Sequence, residues 1–170
     1  DYDRTVIGNP YARYEFSLNL GAEWKGFDFT VFLQGVGKRD ILYTEAGARP
    51  FYVGRTIFKN QLDYWTPENR NAEFPLLLID GSGNNPNNIV SDFWIKSGAY
   101  LRMKNMVVGY TLPKKILSKL HIDNLRIYAS AQNLFTICSA YKGYDPENSV
   151  DRGSFYPVMQ TFTFGVDIRF

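Results

Sequence analysis

The groups best placed for acid–base chemistry are four carboxylates, Asp80, Asp92, Asp145 and Glu147, in segments without periodicity. Two carboxyls hydrolyse a glycoside only when held at a set separation across the bond, and no spacing here imposes one. His121 is the sole histidine and Cys138 the sole cysteine. That removes histidine-based catalytic constellations, cysteine-based zinc sites and internal disulfides. His121 follows Lys119-Leu120 beside a short turn and reads as a surface side chain, and Cys138 as a small apolar one. The Gly81–Asn88 run lacks the Gly-Lys-Ser/Thr ending of a phosphate loop. The loop acids do not follow the twelve-residue spacing of a calcium loop. No enzyme, metal or cofactor is indicated.

Binding chemistry is better represented. Phe51, Tyr52, Tyr64, Trp65, Phe93 and Trp94 lie in a long irregular segment. Aromatic faces there stack on sugar rings or pack against another protein, or they fold a long loop onto itself. Tyr64, Trp65, Phe93 and Trp94 are the candidate contacts for a ligand or a covering partner. Aromatics are 16% of a 170-residue, 19.6 kDa chain whose mean hydropathy is −0.28. Nineteen Lys and Arg against 17 Asp and Glu give a net charge of +2, which excludes a nucleic-acid surface of high charge.

The elements that must position these residues are strands. Tyr14, Phe16, Leu18, Leu20, Ala22 and Trp24 alternate with Arg13, Glu15, Ser17, Asn19, Gly21 and Glu23, which is strict period two. Lys25-Gly26 marks a tight turn, and Phe27, Phe29, Val31 and Leu33 resume the alternation, broken by Phe32. Further strands are expected at Tyr100–Leu112, Leu125–Thr136 and Thr161–Phe170, with short helical pieces at Thr56–Tyr64 and Ile116–Leu120. The segments Gly37–Gly98 and Ser139–Pro157 are long loops.

Short and long connections therefore alternate. In an up-and-down antiparallel sheet this gathers the long ones at one end, as in outer-membrane barrels with short periplasmic turns and long outer loops. A strand from Tyr11 to Trp24 would run roughly 46 Å at ~3.3 Å per residue. Tilted at ~45° it would rise ~33 Å, enough for a bilayer core of ~30 Å. Phe16, Leu18, Leu20, Val108, Tyr110, Phe162, Phe164, Val166 and Ile168 are the expected membrane-facing residues. Arg13, Glu15, Asn19, Glu23, Arg126, Gln132, Asp167 and Arg169 are expected to face the lumen. No stretch reaches the ~18 apolar residues of a transmembrane helix. Five strands cannot close a barrel, because an open edge leaves backbone groups unpaired in lipid. The expectation is thus all-β: about five long antiparallel strands of a larger transmembrane barrel. The absence of an initial Met and of a signal sequence fits a processed or partial chain, and Phe170, an aromatic terminus after a strand, reads as an outer-membrane assembly signal. The alternatives are a soluble carbohydrate-binding β-sandwich, which would need a second sheet over the apolar face, and a barrel enzyme, which lacks a nucleophile–base set.

Specific blocks carry a family resemblance. Tyr100-Leu101-Arg102-Met103-Lys104-Asn105 with Gly109-Tyr110-Thr111-Leu112-Pro113 resembles the C-terminal region of SusC-like TonB-dependent outer-membrane transporters. Arg126-Ile127-Tyr128, Gln132-Asn133-Leu134-Phe135-Thr136 and Tyr141-Lys142-Gly143-Tyr144-Asp145-Pro146-Glu147 are similar to the next family block. Tyr64-Trp65-Thr66-Pro67-Glu68-Asn69 and Ser91-Asp92-Phe93-Trp94 resemble preceding loop blocks, and Tyr156-Pro157 with Thr161-Phe162-Thr163-Phe164-Gly165 resembles the closing strand. Arg70, Ala99 and Gln160 depart from the pattern. The resemblance implies that residues 1–170 form the C-terminal section of a 22-stranded barrel in the outer membrane of a Gram-negative bacterium. It implies a plug and TonB-binding segment elsewhere, energy supplied through TonB, a SusD-like surface lipoprotein as lid, and oligosaccharide or oligopeptide cargo.

Overall fold

The computed structural model describes residues 5–54, 56–78, 85, 87, 89–118, 121–140, 144–148, 156 and 158–170. The chain divides into a sheet unit, Tyr14–Gly37, Tyr100–Ile137 and Val158–Phe170, and a loop unit drawn from 1–13, 38–99 and 138–157. Strand β1 is Tyr14–Trp24, β2 Phe27–Gly37, β3 Asp40–Leu42, β4 Ile95–Ser97, β5 Tyr100–Thr111, β6 Asn124–Gln132, β7 Thr136–Cys138 and β8 Thr161–Arg169. Helices are single turns, α1 at Glu45–Ala48 and α2 at Lys114–Leu117.

In the sheet unit the order is β1-β2-β5-β6-β8, every neighbour antiparallel, with β7 also paired to β5. This is the expected up-and-down meander. The β1–β2 turn places Lys25 at φ 49° and Gly26 at φ 89°. Positive φ at both central residues defines the two-residue hairpin turn whose twist matches its strands. A Cβ on Gly26 would come within 2.7 Å of the Thr111 carbonyl oxygen.

Register decides the faces, since directly opposed residues project to the same side. Leu18 lies opposite Leu33, Leu20 opposite Val31, and Ala22 opposite Phe29. Phe29 continues to Val108, then Ala129, then Phe164; Val31 continues to Met106, Ala131 and Phe162. One face of all five strands is therefore an unbroken apolar field. Large and small side chains interlock within it: Ala131 is 3% exposed among larger neighbours, and the Phe16 ring lies over Gly35, where a Cβ would collide with it. Phe16, Leu18, Leu20, Phe162, Phe164 and Val166 on this face are all exposed.

The structure differs from the sequence expectations at element ends. β1 begins at Tyr14, so it spans 11 residues, roughly 36 Å at ~3.3 Å per residue. At a ~45° tilt that rises about 26 Å, matching an apolar band of ~25 Å. The expected strand Leu125–Thr136 is interrupted: β6 stops at Gln132, Asn133 takes φ 53°, and pairing resumes as β7. The helix expected over Thr56–Tyr64 is a single 3₁₀ turn at Lys59–Leu62, and the turn expected at Ile116–Leu120 begins earlier, at Lys114, with Leu120 outside the described residues. Asp80, Tyr141–Gly143, Pro157 and most of the Gly81–Asn88 run also lie outside the described residues.

The loop unit has its own core of Ile41, Tyr43, Ala48, Phe74 and Trp94, with Tyr64 and Tyr144 packed against it. The β3–β4 ribbon carries this core, and the Tyr43 N–H donates to the Trp94 carbonyl at 2.9 Å.

Candidate functional site

Two surfaces collect the residues able to bind. The first is the polar face of the sheet unit. Opposed pairs place Glu23 and Asp28 beside each other, then Gly109, Tyr128 and Gly165 in the same row as Asp28. Arg126, on β6, reaches across β5 to Asp28 on β2. Its Nε donates to Asp28 Oδ1 at 2.9 Å and its Nη2 to Oδ2 at 2.6 Å, while Nη1 donates to Asp167 Oδ2 at 3.3 Å on the other side. The bidentate fork suits guanidinium and carboxylate geometry.

Two glycines make this possible. A Cβ at Gly109 would lie 2.7 Å from both Arg126 Nε and Nη2, so the absence of a side chain opens the crossing. Gly165 similarly receives the Tyr128 ring, and the Arg126 guanidinium sits 4.9 Å from the centre of that ring. An open hollow of about 900 Å³ surrounds this end of the hairpin, touching Glu23, Lys25, Asp28, Thr111 and Arg126. At the opposite end of β5, Arg102 is buried and its Nε donates to Thr136 Oγ1 at 2.8 Å. The sequence marked Arg126 and Asp167 as residues of the polar face. It did not single out Asp28 or the two glycines, because the partnership spans 98 positions and only the strand order brings them together.

The second surface is the loop unit. The four expected contact residues separate by burial. Trp94 is 4% exposed and belongs to the core; Tyr64 packs on that core. Trp65 at 39% and Phe93 at 45% remain open. The Phe93 ring meets Trp94 edge-on with centroids 4.9 Å apart, and Lys96 Nζ lies 5.8 Å from the Phe93 centroid. Trp65 is set by a turn rather than a helix: its N–H donates to the Phe74 carbonyl at 2.8 Å, and Asp63 accepts from Asn69 Nδ2 at 2.9 Å and from the Glu73 N–H at 3.2 Å. The first surface offers charged groups and the second open aromatic rings, the chemistry that suits polar and amphipathic solutes respectively. Among the described residues no cluster of His, Cys, Asp or Glu is arranged to hold a metal ion.

The expected membrane-facing residues all fall on the apolar face through the register, and all but the half-buried Tyr110 are exposed. Tyr110 is covered by Phe27, with ring centroids 4.5 Å apart. Phe170 follows β8 and is exposed.

No family model matches the chain. Over 99% of its length it is 30% identical to a protein of Formosa agariphila named TonB-dependent receptor P3 and, again over 99%, 27% identical to TonB-dependent receptor SusC of Bacteroides thetaiotaomicron. It spans 17% and 16% of those relatives. Among solved structures it is similar to a chain of the RagAB peptide importer in its open-open state, with a TM-score of 0.72 at 23% identity over 97% of this chain and 18% of the other. A second structure of the RagAB peptide transporter gives 0.65 at 25% identity over 88% and 16%.

Proposed function

We propose, on the premise that this chain is a barrel segment of a SusC-like TonB-dependent receptor, that it supplies wall and outer loops to an outer-membrane nutrient importer. The carrying observation is the register that joins the apolar residues of five strands into one face and leaves the charges on the other. In this reading residues 1–170 are the C-terminal section of the barrel. The apolar face meets hydrocarbon, where an Arg at mid-depth costs ~2–4 kcal/mol, and the polar face lines the lumen. The exposed edges of β1 and β8 pair with strands of the same barrel, since unpaired backbone is not tolerated in lipid.

The chain's role is passive: it forms the wall, and energy arrives through TonB acting on a plug outside this segment. Trp65 and Phe93 are the open rings for an oligosaccharide, an oligopeptide or a SusD-like lid. Peptide cargo is supported by the fold shared with the RagAB peptide importer, and sugar cargo by the stacking chemistry of the open rings.

Cysteine labelling of the parent protein on intact cells tests the topology, in a Cys138→Ser background. Asn69→Cys, in the loop unit, reacts with a membrane-impermeant maleimide. Lys25→Cys, in the short turn, reacts only after the outer membrane is permeabilised. Reversed labelling, or recovery of the parent in the soluble fraction, overturns the reading.

A further inference from the structure

We propose that the short-turn end of the sheet unit binds the headgroups of anionic glycerophospholipids, with the lipid tails lying along the last apolar row. The inference rests on the reading above that this face meets hydrocarbon. That row is Trp24, Phe27 and Tyr110, joined by direct register, and Trp24 is 68% exposed. Immediately beyond it the chain turns, and the turns are cationic. Lys25 occupies the hairpin tip with its Nζ 4.7 Å from the Trp24 ring centre.

The Thr111 N–H donates to the Gly26 carbonyl at 2.7 Å, which ties this tip to the connection carrying Lys114 and Lys115. Both lysines are exposed, as is the neighbouring Ile116. Among the described residues no carboxylate is paired with any of the three lysines. The strand carboxylates at this end, Glu23, Asp28 and Asp167, belong to the polar face, and Arg126 occupies the last two. In the turns themselves Asp123 is the one described carboxylate.

An occupant must therefore present an apolar body to Trp24 and Ile116 and an anionic head to three ammonium groups. An anionic phospholipid does both. A nucleic acid meets the charge but not the apolar row, and a zwitterionic lipid meets the row but has no net charge to offer. Each basic side chain near a membrane surface favours an anionic lipid by about five-fold, and the effect is screened by salt.

The test uses the full-length parent in bilayers of phosphatidylethanolamine and phosphatidylglycerol, with brominated chains on one lipid or the other. The Trp24 signal is the difference between the parent and Trp24→Phe. The expected result is that, mole for mole, brominated phosphatidylglycerol quenches Trp24 more strongly. The preference falls about five-fold for each lysine changed to Gln, falls at high salt, and returns with Lys→Arg. Equal quenching by the two lipids overturns the proposal while leaving the membrane reading intact. Quenching by neither overturns both.

Discussion

Arg126 and Asp28 are joined by two parallel hydrogen bonds, Nε to Oδ1 at 2.9 Å and Nη2 to Oδ2 at 2.6 Å, across the whole width of an intervening strand. The strand between them is crossed at Gly109, the one position in that row of β5 where a side chain would block the path. The pair also offsets the like charges of Glu23 and Asp28, which face each other directly.

The pair is about a quarter exposed on each side, so its worth sits below that of a fully buried ion pair. Asp28→Ala is expected to cost ~1–2 kcal/mol. Arg126→Ala is expected to cost more, because it leaves Glu23, Asp28 and Asp167 uncompensated. Unfolding of the parent in bilayers, run as a double-mutant cycle, should give a coupling of at least ~0.5 kcal/mol. Additive effects would show that the fork contributes nothing. Gly109→Ala should reproduce most of the Asp28→Ala loss and add little to it.

The two faces of β1 make a paired prediction. Leu18→Arg places a cation on the apolar face and should destabilise the folded parent by ~2–4 kcal/mol. Ser17→Arg, one residue away on the polar face, should change stability by less than ~0.5 kcal/mol. Folding yield and denaturant midpoints of the two variants in bilayers compare them, and equal losses would contradict the assignment of faces.

Adjacent aromatics in the loop unit should behave differently. Trp94→Ala empties a core position and should cost ~3–5 kcal/mol within that unit, read as faster limited proteolysis of the 38–99 segment. Phe93→Ala should leave proteolysis unchanged and reduce cargo or lid affinity instead. Proteolysis that accelerates equally in both would remove Phe93 as a contact residue.

Tyr144 gives a pH dependence. Burial raises its phenol above the ordinary 10.0, and the neighbouring Asn60 amide offsets only part of this, standing beside the hydroxyl without hydrogen-bond geometry. The folded unit thus keeps a proton that the unfolded chain releases. This contribution is intact below pH ~10 and is lost as the pH rises through the raised value. Alkaline proteolysis of the loop unit should accelerate as the pH climbs from ~10 to the raised value in the parent, and less so in Tyr144→Phe. Identical profiles would count against the assignment.

The strands were legible because their information is local: period two along Tyr14–Trp24 and Thr161–Phe170 is visible without knowing any partner. The alternating lengths of the connections carried the meander, and the Lys25-Gly26 pair carried the turn. What lay hidden depends on distant neighbours. Nothing near Asn133 announces the break between β6 and β7, since its cause is the pairing to β5, where the Asn133 N–H donates to the Lys104 carbonyl at 3.2 Å. Trp94 and Phe93 read alike as adjacent loop aromatics, and only the packing of Ile41, Tyr43 and Phe74 separates a core ring from an open one. Asp28 lies between Phe27 and Phe29 with nothing nearby in the chain to mark it, and only the strand order sets Arg126 within its reach.

The irregularity at Lys104 carries further. The pairing of β2 with β5 steps from Phe32↔Asn105 to Leu33↔Met103, so Lys104 has no counterpart on β2. In a closed cylinder of strands, diameter follows from the number of staves and the offset accumulated around the hoop. The extra residue on β5 is therefore a fixed increment of that offset, and in a closed barrel built on these strands the diameter would be set in part at this one position.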